Sequence, residues 1–417
     1  MKIKIFSMAL GINLLMFLSV SAMAQEGKIR IGNLKIIPAI TLQEGYDDNI
    51  YLDNGNNNTT DNTTELEEED WITHFQPSIL FNYDFIGRGG LALGYQGDLA
   101  YYDDNDQNDW KTHTAFLNFN YAAPGGLILG LDNTYIDAED PYGSENEFKL
   151  GVPMTERWLD NLMTRIGYDF GNKLRLFGYF NYYKQDYDDI RDYTQNYDNQ
   201  EFGVGAEVKL LPKTWGFIRY HIGEQDYDTP PAFVNGTLTN ATESNDADYD
   251  WQRVNTGLTW DSGAKFSGEL NFGYKWKDYD NITDKNGRRY DEKDTWIAST
   301  QLSYAATPTT MLSLSITRDV RDTYSDTLEY YTDTGIGLSL NQKLFNKFIL
   351  ILGGVYSTMD FNSDREDDNY KANVGLDYQI REWLSAGVNY RYWRKDSNDT
   401  SYDFNDNQFM LSLNARY

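Results

Sequence analysis

The stretch Leu91-Ala92-Leu93-Gly94-Tyr95-Gln96-Gly97-Asp98-Leu99-Ala100-Tyr101-Tyr102 decides the fold. Leu91, Leu93, Tyr95, Leu99 and Tyr101 fall on one face of an extended chain, and Ala92, Gly94, Gln96, Asp98 and Ala100 fall on the other. A strict period of two means a β-strand whose faces meet different media. The same alternation recurs in segments of roughly ten to fourteen residues from Leu34 to Tyr417, which is the pattern of a transmembrane β-barrel.

Between the segments, short and long connections take turns. The short ones are Gly87-Arg88-Gly89-Gly90, Pro124-Gly125-Gly126, Gly171-Asn172-Lys173, Pro212-Lys213-Thr214, Asp261-Ser262-Gly263, Thr307-Pro308-Thr309, Phe345-Asn346-Lys347 and Arg381-Glu382-Trp383. Nine longer connections lie near residues 47–70, 103–109, 138–156, 188–198, 228–249, 280–294, 323–329, 361–368 and 395–405. Together they predict an all-β, antiparallel barrel of about 18 strands, within a range of 16 to 20. The short turns would be periplasmic and the long acidic loops extracellular. Phe148 to Asp160 is the least regular region, and Phe348 to Tyr356 is too apolar for its facing to be read.

The ends agree with this reading. Lys2 and Lys4 precede an apolar run from Ile5 to Val20, and Ala22-Met23-Ala24 offers a cleavage site, so residues 1–24 read as a signal peptide. Residues 25–33 then form a short periplasmic segment and 34–417 the barrel, leaving no periplasmic helical scaffold ahead of the first strand. Phe409, Leu411, Leu413, Ala415 and Tyr417 alternate down the last segment to a terminal aromatic, which resembles the signal recognised by the barrel-assembly machinery. No later run of about 18 apolar residues exists to form a membrane helix.

A hydrophobic fraction of 40% and a mean hydropathy of -0.63 suit a polar soluble protein, yet the chain carries 33 Tyr, 21 Phe and 10 Trp. A barrel reconciles the two, because only alternate strand residues meet lipid. Rings cluster at the loop ends of strands: Tyr101, Tyr182, Tyr274, Trp276, Tyr390 and Tyr392, with Trp71, Trp110, Trp251 and Trp296. They read as a girdle at the headgroup level.

The net charge of -28 argues against nucleic acid as a partner. Much of it lies in the predicted extracellular loops: Asp47, Asp48, Asp53, Asp61, Glu65, Glu67, Glu68, Glu69 and Asp70, then Asp103, Asp104, Asp106 and Asp109. Such loops either stay solvated or form a diffuse cation-binding vestibule; none has the twelve-residue spacing of a calcium loop. The predicted lumen is mixed, with Asp98, Asp132, Glu207, Glu269 and Asp377 against Arg165, Arg175, Lys209, Arg219, Arg253, Lys265, Lys275, Arg391 and Arg416. These charges brace the wall by pairing or attract an anionic permeant. Phe177, Tyr179, Asn181, Tyr183, Gln185 and Trp215 share that register, where rings and amides either fill space or guide a sugar chain.

Catalysis finds little support. There are three histidines, His74, His113 and His221, and no cysteine, so common nucleophile and zinc arrangements have few residues to draw on. No Gly-rich phosphate loop is present, and the sequence predicts neither cofactor nor resident metal.

Three passages, IPAITLQEGYDDNIYLDN (37–54), HFQPSILFNYDF (74–85) and GLALGYQGDLAYYDDN (90–105), resemble the family called putative beta-barrel porin 2. The resemblance implies an outer-membrane pore of a Gram-negative bacterium that exports an exopolysaccharide or capsule-like polymer, working with a separate periplasmic polysaccharide-export protein. A passive porin for small solutes and a surface adhesin or structural barrel are the alternatives. The resemblance offers no catalytic motif, and it gives Tyr46 to Ile50 no role.

Overall fold

In the computed structural model, residues 29–54, 67–141, 154–188, 196–228, 231–234, 237–240, 248–260, 265–282, 289, 293–322 and 330–417 are described. The signal peptide, the first-loop residues Asp61 and Glu65, and the Asp261-Ser262-Gly263 turn lie outside them.

Eighteen strands form one closed antiparallel sheet. In chain order they are β1 (Leu34–Asp47), β2 (Asp70–Asp84), β3 (Gly89–Tyr102), β4 (Trp110–Ala122), β5 (Leu127–Pro141), β6 (Met154–Phe170), β7 (Leu174–Tyr187), β8 (Tyr197–Leu211) and β9 (Thr214–Tyr227). The second half comprises β10 (Tyr249–Trp260), β11 (Phe266–Tyr279), β12 (Thr295–Thr307), β13 (Thr310–Asp322), β14 (Tyr330–Leu344), β15 (Phe348–Phe361), β16 (Glu366–Arg381), β17 (Leu384–Ser397) and β18 (Phe404–Arg416). Each strand pairs with the next, and β18 returns to β1 from Ala39↔Arg416 to Asp47↔Gln408. Closure leaves no edge, so backbone polar groups are paired within the sheet and the structure tolerates hydrocarbon.

A 14-residue strand such as β1 is about 46 Å long at a rise of about 3.3 Å per residue, and about 35 Å tall at a tilt near 40°. That spans a hydrocarbon core of about 30 Å. The tight connections carry the chemistry they require. Phe345 and Asn346 have φ of 49° and 62°, as do Gly171 and Asn172 at 68° and 59°, the type I′ geometry that matches strand twist.

Some boundaries differ from the sequence spacing. The chain near 138–156 stays in strands to Pro141 and again from Met154, because β5 and β6 pair over fifteen residues. Ahead of β1, Ile29–Ile31 pairs back onto residues 34–36, and a small hairpin joins Pro231–Val234 to Thr237–Asn240 in the loop after β9.

Two aromatic girdles bound the apolar wall. Trp71, Tyr101, Tyr274, Trp296 and Tyr390 face outward near the long loops, each 41–49% exposed. Trp110 and Trp251 depart from the sequence-based girdle: they sit on the opposite parity, Trp110 against Ile50, Ile72 and Ala100, and Trp251 almost buried on the lumen side. The second girdle, at the short turns, is built of contacts such as Phe266–Tyr304 (4.7 Å), Tyr168–Phe170 (4.7 Å) and Phe348–Tyr378 (4.8 Å). On β2 the girdles are Trp71 and Tyr83, twelve residues and about 30 Å of height apart. Between them, Leu411 and Leu413 of the last strand face outward at 49% and 43% exposure. Tyr417 follows the strand, its N–H donating to Pro38 O.

Candidate permeation site: the lumen wall

Strand parity fixes which side chains meet the bore. Arg219 lies opposite Gly205 on β8 and Asn255 on β10, and Ile218 and Ile222, of the opposite parity, face lipid. By the same cross-strand registers Asp98, Asp132, Arg165, Arg175, Tyr179, Tyr183, Arg253, Glu269, Lys275, Asp377, Arg391 and Arg416 are on the inward face. Lys265 is not on the wall: it precedes β11 in the turn, exposed.

From β6 to β13 the inner wall is crowded with paired charge. Arg219 grips Glu269 with both nitrogens at 2.9 Å, and its Nη2 lies 3.4 Å from Glu207. Arg175 donates to Asp169 at 3.1 Å, lies 3.6 Å from Glu207, and places its guanidinium 3.6 Å over the Trp215 ring. Arg253 reaches both oxygens of Glu201 at 2.8 and 3.0 Å, with His221 packed on the same carboxylate. Lys275 lies 3.3 Å from Asp319. Arg165 sits 5.5 Å over Phe177, and Tyr179 stands 5.3 Å from His221. Of the two roles the sequence allows these cations, Arg175, Arg219, Arg253 and Lys275 take the bracing one, each matched by a carboxylate. Such pairs hold in a partly desolvated wall because the geometry is close and often bidentate.

Near the extracellular end the crowding becomes a knot. Asp322, the last residue of β13, accepts hydrogen bonds from Tyr227 Oη (2.7 Å) and Gln225 Nε2 (2.8 Å) of β9 and from Tyr249 Oη (3.0 Å) of β10, and it pairs with Lys277 of β11. Lys277 is only 1% exposed. Sequence spacing could not foresee it, because β9 and β13 are four strands apart.

Glycines make the crowding possible. A Cβ on Gly203 would stand 2.4 Å from the His221 ring, and one on Gly167 2.2 Å from Phe177. Phe177 and Trp215 thus lie flat and buried, while Tyr179, Asn181 and Tyr183 stay half-exposed.

The other arc, β14 to β18 with β1, is slim. Its inward groups include Ser339, Asn341, Asn373, Ser385, Asn389, Ser412, Asn414, Thr41 and Gln43, with Lys371, Asp377 and Arg391 as charges among them. Elsewhere Asp98 is held by His74 (2.9 Å) and Gln76 (2.8 Å), and Asp132 by the Asn118 amide.

At the mouth, the acidic loop residues divide by role. Asp70 accepts from the backbone N–H groups of Trp71, Asp103, Asp104 and Asn105 and from Asn105 Nδ2, all between 2.7 and 3.2 Å. It anchors the β3–β4 loop, while the side chains of Asp103 and Asp104 are exposed. Glu67, Glu68 and Glu69 are exposed, Glu69 receiving the Tyr46 hydroxyl. Asp47 and Asp48 instead converge with Asp406 of β18, a residue the sequence reading did not single out.

The chain matches the sequence profile of the family described as putative beta-barrel porin 2 over residues 23–417. No curated protein matches it. Among solved structures it is similar to the ferric enterobactin receptor of Pseudomonas aeruginosa (10% identity, 91% of this chain and 80% of that one, TM-score 0.42). It is also similar to the outer membrane protein OpdK of P. aeruginosa (10%, 92% and 99%, 0.41) and to the FrpB iron transporter of Neisseria meningitidis (11%, 91% and 81%, 0.41). With a closed 18-stranded barrel belted by aromatics and a family profile that spans nearly its whole length, the chain belongs to the putative beta-barrel porin 2 family and resides in the outer membrane of a Gram-negative bacterium.

Proposed function

We propose that this barrel passes a polysaccharide from the periplasm to the cell surface. The observation that carries the reading is the slim arc from β14 to β1, where neutral amides and hydroxyls such as Asn341, Asn373, Asn389, Asn414 and Ser412 line the bore in succession. A sugar chain offers hydroxyls at every unit, and a row of amides exchanges hydrogen bonds with it without holding any one unit. Across the bore, the half-exposed rings of Tyr179 and Tyr183 offer apolar faces to the sugar. The paired cations exert little field on a passing anion, which favours a neutral or weakly charged polymer.

Eighteen strands enclose an aqueous channel rather than a packed core. Transport would be driven by polymer synthesis or by upstream machinery, delivered through a separate periplasmic polysaccharide-export protein. Insertion would use the barrel-assembly machinery, which reads the last strand from Phe409 to Tyr417.

The test is deletion of the gene with assay of surface and periplasmic polysaccharide. Export predicts loss of surface polymer with periplasmic accumulation. Normal surface polymer without accumulation overturns it, and steady, weakly selective conductance of the purified barrel would then favour a porin for small solutes.

A further inference from the structure

Where β18 closes on β1, three carboxylates from distant parts of the sequence meet. Asp47 ends β1, Asp48 begins the first loop and Asp406 stands near the start of β18; each offers an oxygen within 4.8 Å of the other two. Asp47 is 8% exposed and Asp406 only 2%. Most of their oxygens are served. Asn49 N–H donates to Asp47 Oδ1 (2.9 Å), and Gln408 Nε2 bridges Asp47 Oδ2 (2.9 Å) and Asp406 Oδ2 (3.1 Å). The Asn407 backbone and amide donate to Asp48 at 2.7 and 2.8 Å.

Asp406 Oδ1 is different: it is fully buried, no amide, hydroxyl or backbone N–H donates to it, and the side chain lies against the Asp47 carboxyl. A carboxylate oxygen shut away from water without a donor is costly, and two further carboxylates beside it compound the cost. Arg391, opposite Gln408 on β17, contributes one positive charge nearby. Three carboxyl groups against one guanidinium crowd this corner with acid, and either a shared proton or a bound cation relieves it.

We propose that Asp47, Asp48 and Asp406 bind a calcium ion that staples the barrel seam at the extracellular rim. Hard oxygen donors in irregular arrangement suit calcium, which accepts six to eight ligands flexibly, better than magnesium, which demands a near-ideal octahedron. The site also explains the Asp-Asp-Asn of the first loop. Asp47 and Asp48 supply ligands, while the fully buried Asn49 pins the loop by donating to Asp53 O (2.9 Å) and Asn405 O (2.8 Å). The ion would tie the first loop and the two terminal strands into one unit.

The experiment is calorimetric titration of the full purified barrel with calcium chloride after chelation, alongside thermal melts with calcium, magnesium or chelator. The expected result is one calcium per chain with a Kd of about 10⁻⁴–10⁻³ M, as for extracellular calcium modules, and a melting temperature that calcium raises more than magnesium does. Asp406→Asn should weaken calcium binding at least about tenfold, the loss of one charged ligand among three. Asp48→Asn is a second variant should the first not fold, and Asp103→Asn with Asp104→Asn is the control that leaves binding unchanged. No calcium heat, or a calcium response that survives both ligand variants, overturns the site. Equal responses to magnesium at every concentration would overturn the assignment to calcium.

Discussion

The two halves of the lumen wall are built on opposite plans. Between β6 and β13, arginines and lysines lie flat over rings and are answered by carboxylates on neighbouring strands, in space cleared by glycines. Between β14 and β1, short amides and hydroxyls predominate, with Lys371, Asp377 and Arg391 as charges among them. The contrast teaches that a charged lumen residue is not by itself a selectivity element: on the crowded side the charge is consumed in holding strands together. The slim side leaves its polar groups to whatever passes.

If that division is right, the largest effect comes from the Asp322 knot. Lys277→Met leaves the half-buried Asp322 carboxylate without its cation, and breaking a buried pair in this way costs up to about 3–5 kcal/mol. Denaturant unfolding of the refolded barrel should show it, and Lys277→Met with Asp322→Asn should recover most of the loss. The same measurement on Asn373→Ala in the slim arc should move by less than about 1 kcal/mol. Equal losses at the two sites would erase the distinction.

A smaller effect separates the glycines. Gly203→Ala forces the His221 ring and its carboxylate partner aside, an overpacking cost of about 1–3 kcal/mol. Gly375→Ala meets only the Asn389 amide at 2.8 Å, the end of a side chain that can swing, so its melting temperature should stay near the parent's.

The smallest effect is in pH dependence, read above the membrane. Asp228, atop β9, is raised above the usual carboxylate range by burial and then by the charge of Asp186. Its contribution to stability is full below the ordinary Asp value of about 3.9 and is lost as pH rises through the raised value. Asp399, in the loop before β18, is lowered by the Ser401 hydroxyl and backbone N–H, both on Oδ1. Its contribution is full above about 3.9 and is lost as pH falls through the lowered value. Melts of Asp228→Asn and Asp399→Asn against pH should therefore diverge from the parent in opposite directions.

Much of the architecture was legible because it is written locally. Alternation and turn chemistry are properties of ten neighbouring residues, so strand number, closure order and the inward register of Arg219 or Asp377 follow from counting by two. Trp110 and Trp251 show how that count is lost when nearness to a loop is allowed to outweigh parity. Counting back from Leu117 and Phe119, which face outward, puts Trp110 inside. The periplasmic girdle is equally legible in Phe266 and Phe348, which follow short turns by three residues and by one. Pairing across strands was not legible. Nothing in the sequence brings Asp406 to Asp47, or Asp322 to Tyr227 and Lys277, since such contacts depend on how the sheet bends.

That bending is visible at one corner of the opening. Five sheet neighbours from β9 to β13 cover about 19 Å measured across the strands at about 4.8 Å each, farther than a tyrosine and an aspartate reach tip to tip. Yet Tyr227 and Asp322 touch. The sheet therefore bends inward at this corner. Four strands, β9, β10, β11 and β13, are thus tied at the rim by side chains as well as by the backbone ladder of the sheet.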